Sequence, residues 1–174
     1  MTAPRLALSA LCFSALLASV ECRALERQLH LAPRLGFVWA NGAAPVIGPL
    51  VEVGAGYGLN DAFTLYANAG YGVGFGDAPS SPQHYATLSA GVRYALDYLR
   101  VVPWIALGLR GDLFVTPVDG SVGPSVEGRL GAAWLFRRGL GLEVEAGYAF
   151  PWLLRDRVSD IVTVSVGLRF VRDL

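Results

Sequence analysis

Apolar and polar residues alternate with period two almost continuously from Leu29 to Phe170, a pattern that suits strands with one greasy face. The last run is the clearest. In Ile161–Phe170 (IVTVSVGLRF), Val162, Val164, Val166, Leu168 and Phe170 share one face, while Thr163, Ser165, Gly167 and Arg169 share the other. The same reading yields eight runs: Leu29–Trp39, Leu50–Leu59, Ala62–Phe75, His84–Leu96, Val101–Phe114, Ser125–Phe136, Leu140–Phe150 and Ile161–Phe170. Trp104 breaks the parity of its run and suggests a bulge there. Glycine argues the same way, because most of the 21 glycines lie inside apolar runs, where they would weaken a helix.

Each run is about the length that a tilted strand needs to cross a hydrocarbon layer. The connections alternate in kind. Asn60-Asp61, Asp97–Leu99 and Arg137–Gly139 are tight and carry hairpin-turn residues. Ala40–Gly48, Gly76–Gln83, Thr116–Pro124 and Pro151–Ser159 are longer and rich in Gly and Pro. Short turns on one side and longer loops on the other predict an all-β fold, an eight-stranded antiparallel up-and-down transmembrane β-barrel with both termini on the periplasmic side.

Alternation alone does not say which face is outside, but the aromatic residues do. Tyr57, Phe63, Tyr94, Trp134, Phe136 and Phe170 fall near the turn ends of their apolar faces, and Phe37, Trp39, Tyr71, Phe75, Tyr148 and Phe150 near the loop ends. Two aromatic belts around an aliphatic band mark a lipid-facing surface, whereas a soluble core would not sort rings by depth. The polar face carries Arg34, Glu52, Arg93, Arg110, Asp112, Glu127, Arg129, Glu143, Glu145 and Arg169, five positive and five negative groups. Arg on the lipid side would cost about 2–4 kcal/mol at the midplane, so these groups belong in the lumen. An eight-stranded barrel is just wide enough inside for side chains to fill, and charges there stay ionised only if paired. A salt-bridged plug is therefore expected rather than a water channel.

The start of the chain reads as a targeting segment. Met1–Arg5 is singly basic, Leu6–Val20 is an uncharged apolar stretch too short to span a bilayer, and small residues at Cys22 and Ala24 place cleavage after Ala24. The expected organisation is a signal peptide over 1–24 and a barrel over 25–174. A lipoprotein reading of Cys22 competes, but Glu21 stands where a lipobox needs a small residue. Cys12 and Cys22 both fall in the removed segment, so thiol chemistry is excluded from the mature protein. With 14 basic and 14 acidic residues spread along the chain, no electrostatic footprint for nucleic acid exists.

The run Val164–Phe170 (VSVGLRF), followed by Val171–Leu174, resembles the C-terminal β-signal of small outer-membrane barrels. Over the whole mature length the pattern resembles the eight-stranded family of outer-membrane protein X and the transmembrane domain of outer-membrane protein A. That resemblance implies a bacterial outer-membrane location, contact with outer-membrane lipid and lipopolysaccharide, help from the barrel-assembly machinery during insertion, and a monomer.

Three functions remain, in order: a non-enzymatic structural or surface-interaction barrel with a filled lumen, a narrow pore for small solutes or ions, and a lipid A-modifying enzyme, since some barrels of this size carry that activity. A nucleophile with a base in reach would be needed for the last. His84 lacks the His-x-Ser pairing of lipid A deacylases, and His30 reads as a lumen or rim residue near the turn end. Glu143 and Glu145 resemble a carboxylate pair but have arginines on neighbouring strands to pair with. Gly70–Gly74 lies within a strand and precedes no helix, so it reads as lumen packing rather than a phosphate loop. No catalytic set, cofactor or metal-ligand spacing is expected.

Overall fold

The computed structural model describes residues 28–42, 45–75, 83–96, 101–115, 120–137, 139–152 and 158–173. The expected signal peptide over 1–24, the mature start near Leu25 and the turn Asp97–Leu99 lie outside them. Eight strands form: β1 (Gln28–Gly42), β2 (Val46–Gly58), β3 (Phe63–Gly74), β4 (Gln83–Ala95), β5 (Val101–Val115), β6 (Gly120–Arg137), β7 (Leu140–Pro151) and β8 (Val158–Asp173). Each pairs antiparallel with the next, and β8 pairs with β1, so the sheet closes into a barrel without edges. Closure matters because hydrocarbon offers no partner for an unpaired N–H or C=O.

The closing seam runs from Gln28 opposite Asp173 to Gly42 opposite Val158, with a register shift between Asn41 and Gly42. It carries β8 past Phe170, so Val171, Arg172 and Asp173 continue the sheet and Gln28 donates to Asp173 at 3.0 Å. Local chemistry sets the turns. Between β2 and β3 the Asn60 carboxamide oxygen accepts from the backbone N–H groups of Ala62 at 3.0 Å and Phe63 at 2.8 Å. Between β6 and β7, Gly139 takes φ 77°, a conformation that strongly favours glycine.

The strands run 12 to 18 residues; six are longer than the sequence runs suggest, while β3 is shorter and β4 equal, and three of the expected loops shrink accordingly. Val46–Gly48 joins β2, Gly120–Pro124 joins β6, and Val158 opens β8. Gly and Pro made these segments look like loops, yet each proline sits where a ladder ends or breaks and its missing N–H is not needed. The β2–β3 ladder begins at Leu50, just past Pro49. The β6–β7 ladder begins at Ser125, just past Pro124, and the β4–β5 ladder ends at Trp104, just past Pro103. On the β8 side of β1 the pairing is interrupted at Ala32 and Pro33.

Trp104 needs a correction. There is no bulge: the register of β5 with β6 runs unshifted through it, and that with β4 is unshifted up to it. It shares the inward parity of Val102, Ala106 and Arg110, and is buried beneath Arg93. Its apolar ring had suggested the outer face, but the ring packs inside over Gly131, where a Cβ would lie 2.5 Å from Trp104 Cζ2.

Burial alternates along the strands, slipping in β8 between Val158 and Ile161 beside the β1 register shift, and its polarity is inverted relative to a protein folded in water. Arg34, Glu52, Asp112, Glu127 and Glu143 are buried, while Leu35, Leu88, Leu107, Leu109 and Leu130 are exposed. Only an apolar surrounding makes that arrangement favourable. Leu109 lies midway along β5 and is 63% exposed. In a water-soluble protein Leu109→Arg would be nearly neutral. Here it should lower the unfolding free energy by about 2–4 kcal/mol in lipid vesicles, measured by denaturant titration. A neutral result would show that this face does not meet lipid.

Candidate functional site in the lumen

The inward faces of all eight strands converge on one charged network. Arg34 on β1 lies at its centre. Its Nη1 donates to Glu145 at 2.6 Å and Glu143 at 3.1 Å, and its Nη2 donates to Glu52 at 2.5 Å and to Asn68 at 2.6 Å. One guanidinium thus ties β1 to β2, β3 and β7, which a point-charge ammonium could not do with the same geometry. Arg129 on β6 repeats the device, reaching Glu145 at 2.6 Å, Glu52 at 2.7 Å and Glu127 at 3.0 Å.

From these two hubs the network extends both ways. Towards the loop end, Arg110 meets Glu127 at 3.4 Å and Asp112 at 2.7 Å, and Asp112 also accepts from Tyr85 and Ser125, both at 2.6 Å. Towards the turn end, Arg93 and Arg169 approach Glu143 at 3.2 and 3.6 Å. All ten charged residues singled out in the sequence are buried in the lumen, and these contacts join them into one chain. Glycines make space for the arginines: a Cβ at Gly54 would lie 2.5 Å from Arg34 Nη2 and 2.6 Å from Asn68 Oδ1.

Apolar side chains bracket the charges, a feature the sequence reading did not list. At the loop end Val38, Ala40, Val46, Leu50, Tyr85, Phe114, Ala149, Val158 and Ile161 form a buried cluster. At the turn end Ala95, Val102, Trp104 and Ala133 form another, with Ala106 and Leu135 against it. The signal was available in the parity: Val38, Leu50 and Phe114 lie in phase with Arg34, Glu52 and Asp112. Between the clusters a cavity of about 10 Å³ remains near the turn end, lined by His30, Arg34, Tyr66, Asn68, Arg93, Glu143 and Arg169.

The outer surface carries the rings. Phe37, Trp39, Tyr57, Phe63, Tyr71, Phe75, Tyr94, Trp134, Phe136, Tyr148 and Phe170 are exposed and Phe150 is half-buried. Ring contacts hold several in place: the centroids of the cross-strand pair Phe63 and Tyr94 are 5.3 Å apart, and those of Trp134 and Phe136, successive outward residues of β6, are 6.0 Å apart. Of the two histidines, His84 is exposed on the outer face with Nδ1 2.6 Å from the Tyr71 hydroxyl. His30 is buried and its Nδ1 lies 2.8 Å from Arg169 Nη2. Glu143 and Glu145 are both absorbed in ion pairs. Among the described residues no group of three or more His, Cys, Asp or Glu side chains is placed to hold a metal.

No protein-family model matches the chain, and no curated protein matches it in sequence. Solved structures do match in shape. Neisserial surface protein A superposes with a TM-score of 0.69 at 14% identity, over 82% of this chain and 96% of that one. The outer-membrane protein OprG from Pseudomonas aeruginosa gives 0.62 at 8% identity over 86% and 98%. The outer-membrane enzyme PagL gives 0.52 at 18% identity over 81% and 98%. The chain thus has the fold of the small eight-stranded outer-membrane β-barrels.

The network makes a sharp contrast between neighbours on β1. Arg34→Ala leaves three buried carboxylates short of a partner and should lower stability by about 3–5 kcal/mol. Leu35→Ala, one residue on but facing outward, should cost far less. Urea unfolding in detergent micelles measures both, and equal losses would mean that the network does not carry the lumen's stability.

Proposed function

We propose that this protein is a closed, non-conducting and non-catalytic barrel of the bacterial outer membrane, serving the envelope through its structure and its exposed surface. The supporting observation is the layered lumen: ten charges spent on one another, with an apolar cluster towards each end. An ion entering from the loop side would have to shed water against Tyr85, Phe114, Leu50 and Ile161 before meeting carboxylates already held by arginines. That desolvation is the barrier.

Fold alone does not decide on catalysis, since PagL is an enzyme with the same architecture. Support for a non-catalytic reading comes from the candidate groups. Glu143 and Glu145 lie sealed in the network, away from lipid, and His84 faces outward with its Nδ1 on the Tyr71 hydroxyl. On this reading the aromatic belts rest at the headgroups of outer-membrane lipid and lipopolysaccharide. The terminal strand β8 presents its alternating face to the barrel-assembly machinery, and the inserted barrel works as a monomer.

Pure protein in planar bilayers should therefore give no single-channel steps, and neutralising Arg110 or Glu143 should not create them. Stable conductance that changes with either substitution would replace this reading with a narrow pore. Lipid A incubated with the protein should be recovered intact; turnover that disappears in His84→Ala would replace it with an enzyme.

A further inference from the structure

The sheet continues past the aromatic end of β8, and its last residues are held at the turn end. The Val171 N–H donates to the Gly139 carbonyl at 2.8 Å, Gln28 donates to Asp173, and Arg172 stands opposite Leu29 on β1. Arg172 keeps the parity of Leu168 and Phe170, so it points outward on the face that carries the apolar residues.

A second arginine reaches that face through an irregularity of β6. Leu135 stands opposite Gly141 and Arg137 opposite Leu140, so the register slips by one residue at Phe136. In an unshifted ladder Arg137 would take the inward parity of Leu135, which packs against the turn-end apolar cluster. The slip gives it the parity of Leu140 instead, an outward position paired with Phe170 on β8. Re-aiming a side chain is a known use of such a bulge.

Arg137 and Arg172 thus belong to one outward patch, about 10 Å apart across β7 and about 7 Å apart along the strands by their register. Both are exposed, and among the described residues neither is held in an ion pair or hydrogen bond. Acidic groups of this rim lie elsewhere: Asp61 is in the β2–β3 turn, four strands round from the β6–β7 turn, and Asp173 shares the inward parity of its partner Gln28. Trp134 and Phe170 of the turn-end aromatic belt flank the pair, and Leu142 and Leu168 extend the patch towards the apolar band.

An aromatic belt marks headgroup depth, and the short turns of an outer-membrane barrel face the periplasm, so this patch meets the phospholipid leaflet. Two cations there require acceptors, and a guanidinium fork matches a phosphate bidentately. A lipid that carries its own ammonium answers that charge less well than one with a net negative headgroup. We infer that Arg137 and Arg172 form a site for an anionic glycerophospholipid of the periplasmic leaflet, its phosphate held by the two guanidiniums and its acyl chains lying along Trp134, Leu142 and Leu168. This takes only the membrane setting from the proposed function and holds whether or not the lumen conducts.

The test uses the whole barrel refolded into mixed vesicles of phosphatidylcholine and phosphatidylglycerol, with bromine on the acyl chains of one lipid or the other. Bromine quenches nearby tryptophan. In a chain carrying Trp39→Phe and Trp152→Phe, Trp134 reports on the site, because Trp104 is buried in the lumen. At low ionic strength the quenching should show a preference for phosphatidylglycerol of roughly fivefold per arginine, and Arg137→Gln or Arg172→Gln should each remove about one such factor. Equal quenching by the two lipids overturns the inference, as does a preference that survives both substitutions together. Added inorganic phosphate at constant ionic strength should leave the preference standing; its loss would mean a site for any small anion and overturn the lipid assignment. Both side chains are exposed and unpaired, so the variants should keep the heat-modifiable mobility of a folded barrel. Should either fail to fold, the lipid comparison and the phosphate competition with both arginines present decide alone. Conductance or lipid A turnover, which would replace the proposed function, leaves this measurement unaffected.

Discussion

Everything in this structure depends on closing a sheet so that no backbone polar group faces lipid unpaired. Once β8 joins β1, each strand has two neighbours, and the hydrogen-bond ladders require nothing from the surroundings. Closure also divides space. Outward positions meet lipid and take Leu, Val and aromatic rings; inward positions meet only one another and must solve their own electrostatics. The inverted polarity of the molecule follows from that division.

The solution inside is a branched ion network rather than isolated pairs. Taking a charge out of water costs several kcal/mol, and the cost is offset only when the remaining lone pairs and protons also find partners. Arg34 and Arg129 achieve this by touching several acceptors on different strands, with Tyr66, Tyr85 and Ser125 completing the carboxylates Glu127 and Asp112. All five lumen cations are arginines, whose forked donors can bridge strands as a lysine could not. The apolar clusters at the two ends then keep water from competing for these bonds.

This explains why the fold is shared at 8–18% identity with neisserial surface protein A, OprG and PagL. Alternation, turn chemistry and closure are physical requirements that many sequences meet, so likeness of fold carries no activity with it. On the proposed reading the interior of this chain serves stability, which leaves the rims and the exposed surface as the places where partners could act.

Much of this was legible beforehand, because a strand's side chains alternate strictly and a barrel has two faces. Val164 and Arg169 in β8, or Leu109 and Arg110 in β5, declare their sides by parity alone, and Asn60 and Gly139 mark turns by their own chemistry. Strand ends were not legible, since Pro49 and Pro124 look like loop residues until the neighbouring ladder is seen to end beside them. Nor was Trp104, because being apolar does not say whether a ring meets lipid or an inner plug; only Gly131 across from it and Arg93 above it settle that. The sequence by itself determined eight strands and which face carries charge, since both follow from local periodicity. Tertiary structure alone decided that Arg34 meets Glu52, Glu143 and Glu145 at once and that apolar clusters bracket them, because those contacts span up to 111 positions of chain and exist only across the closed barrel.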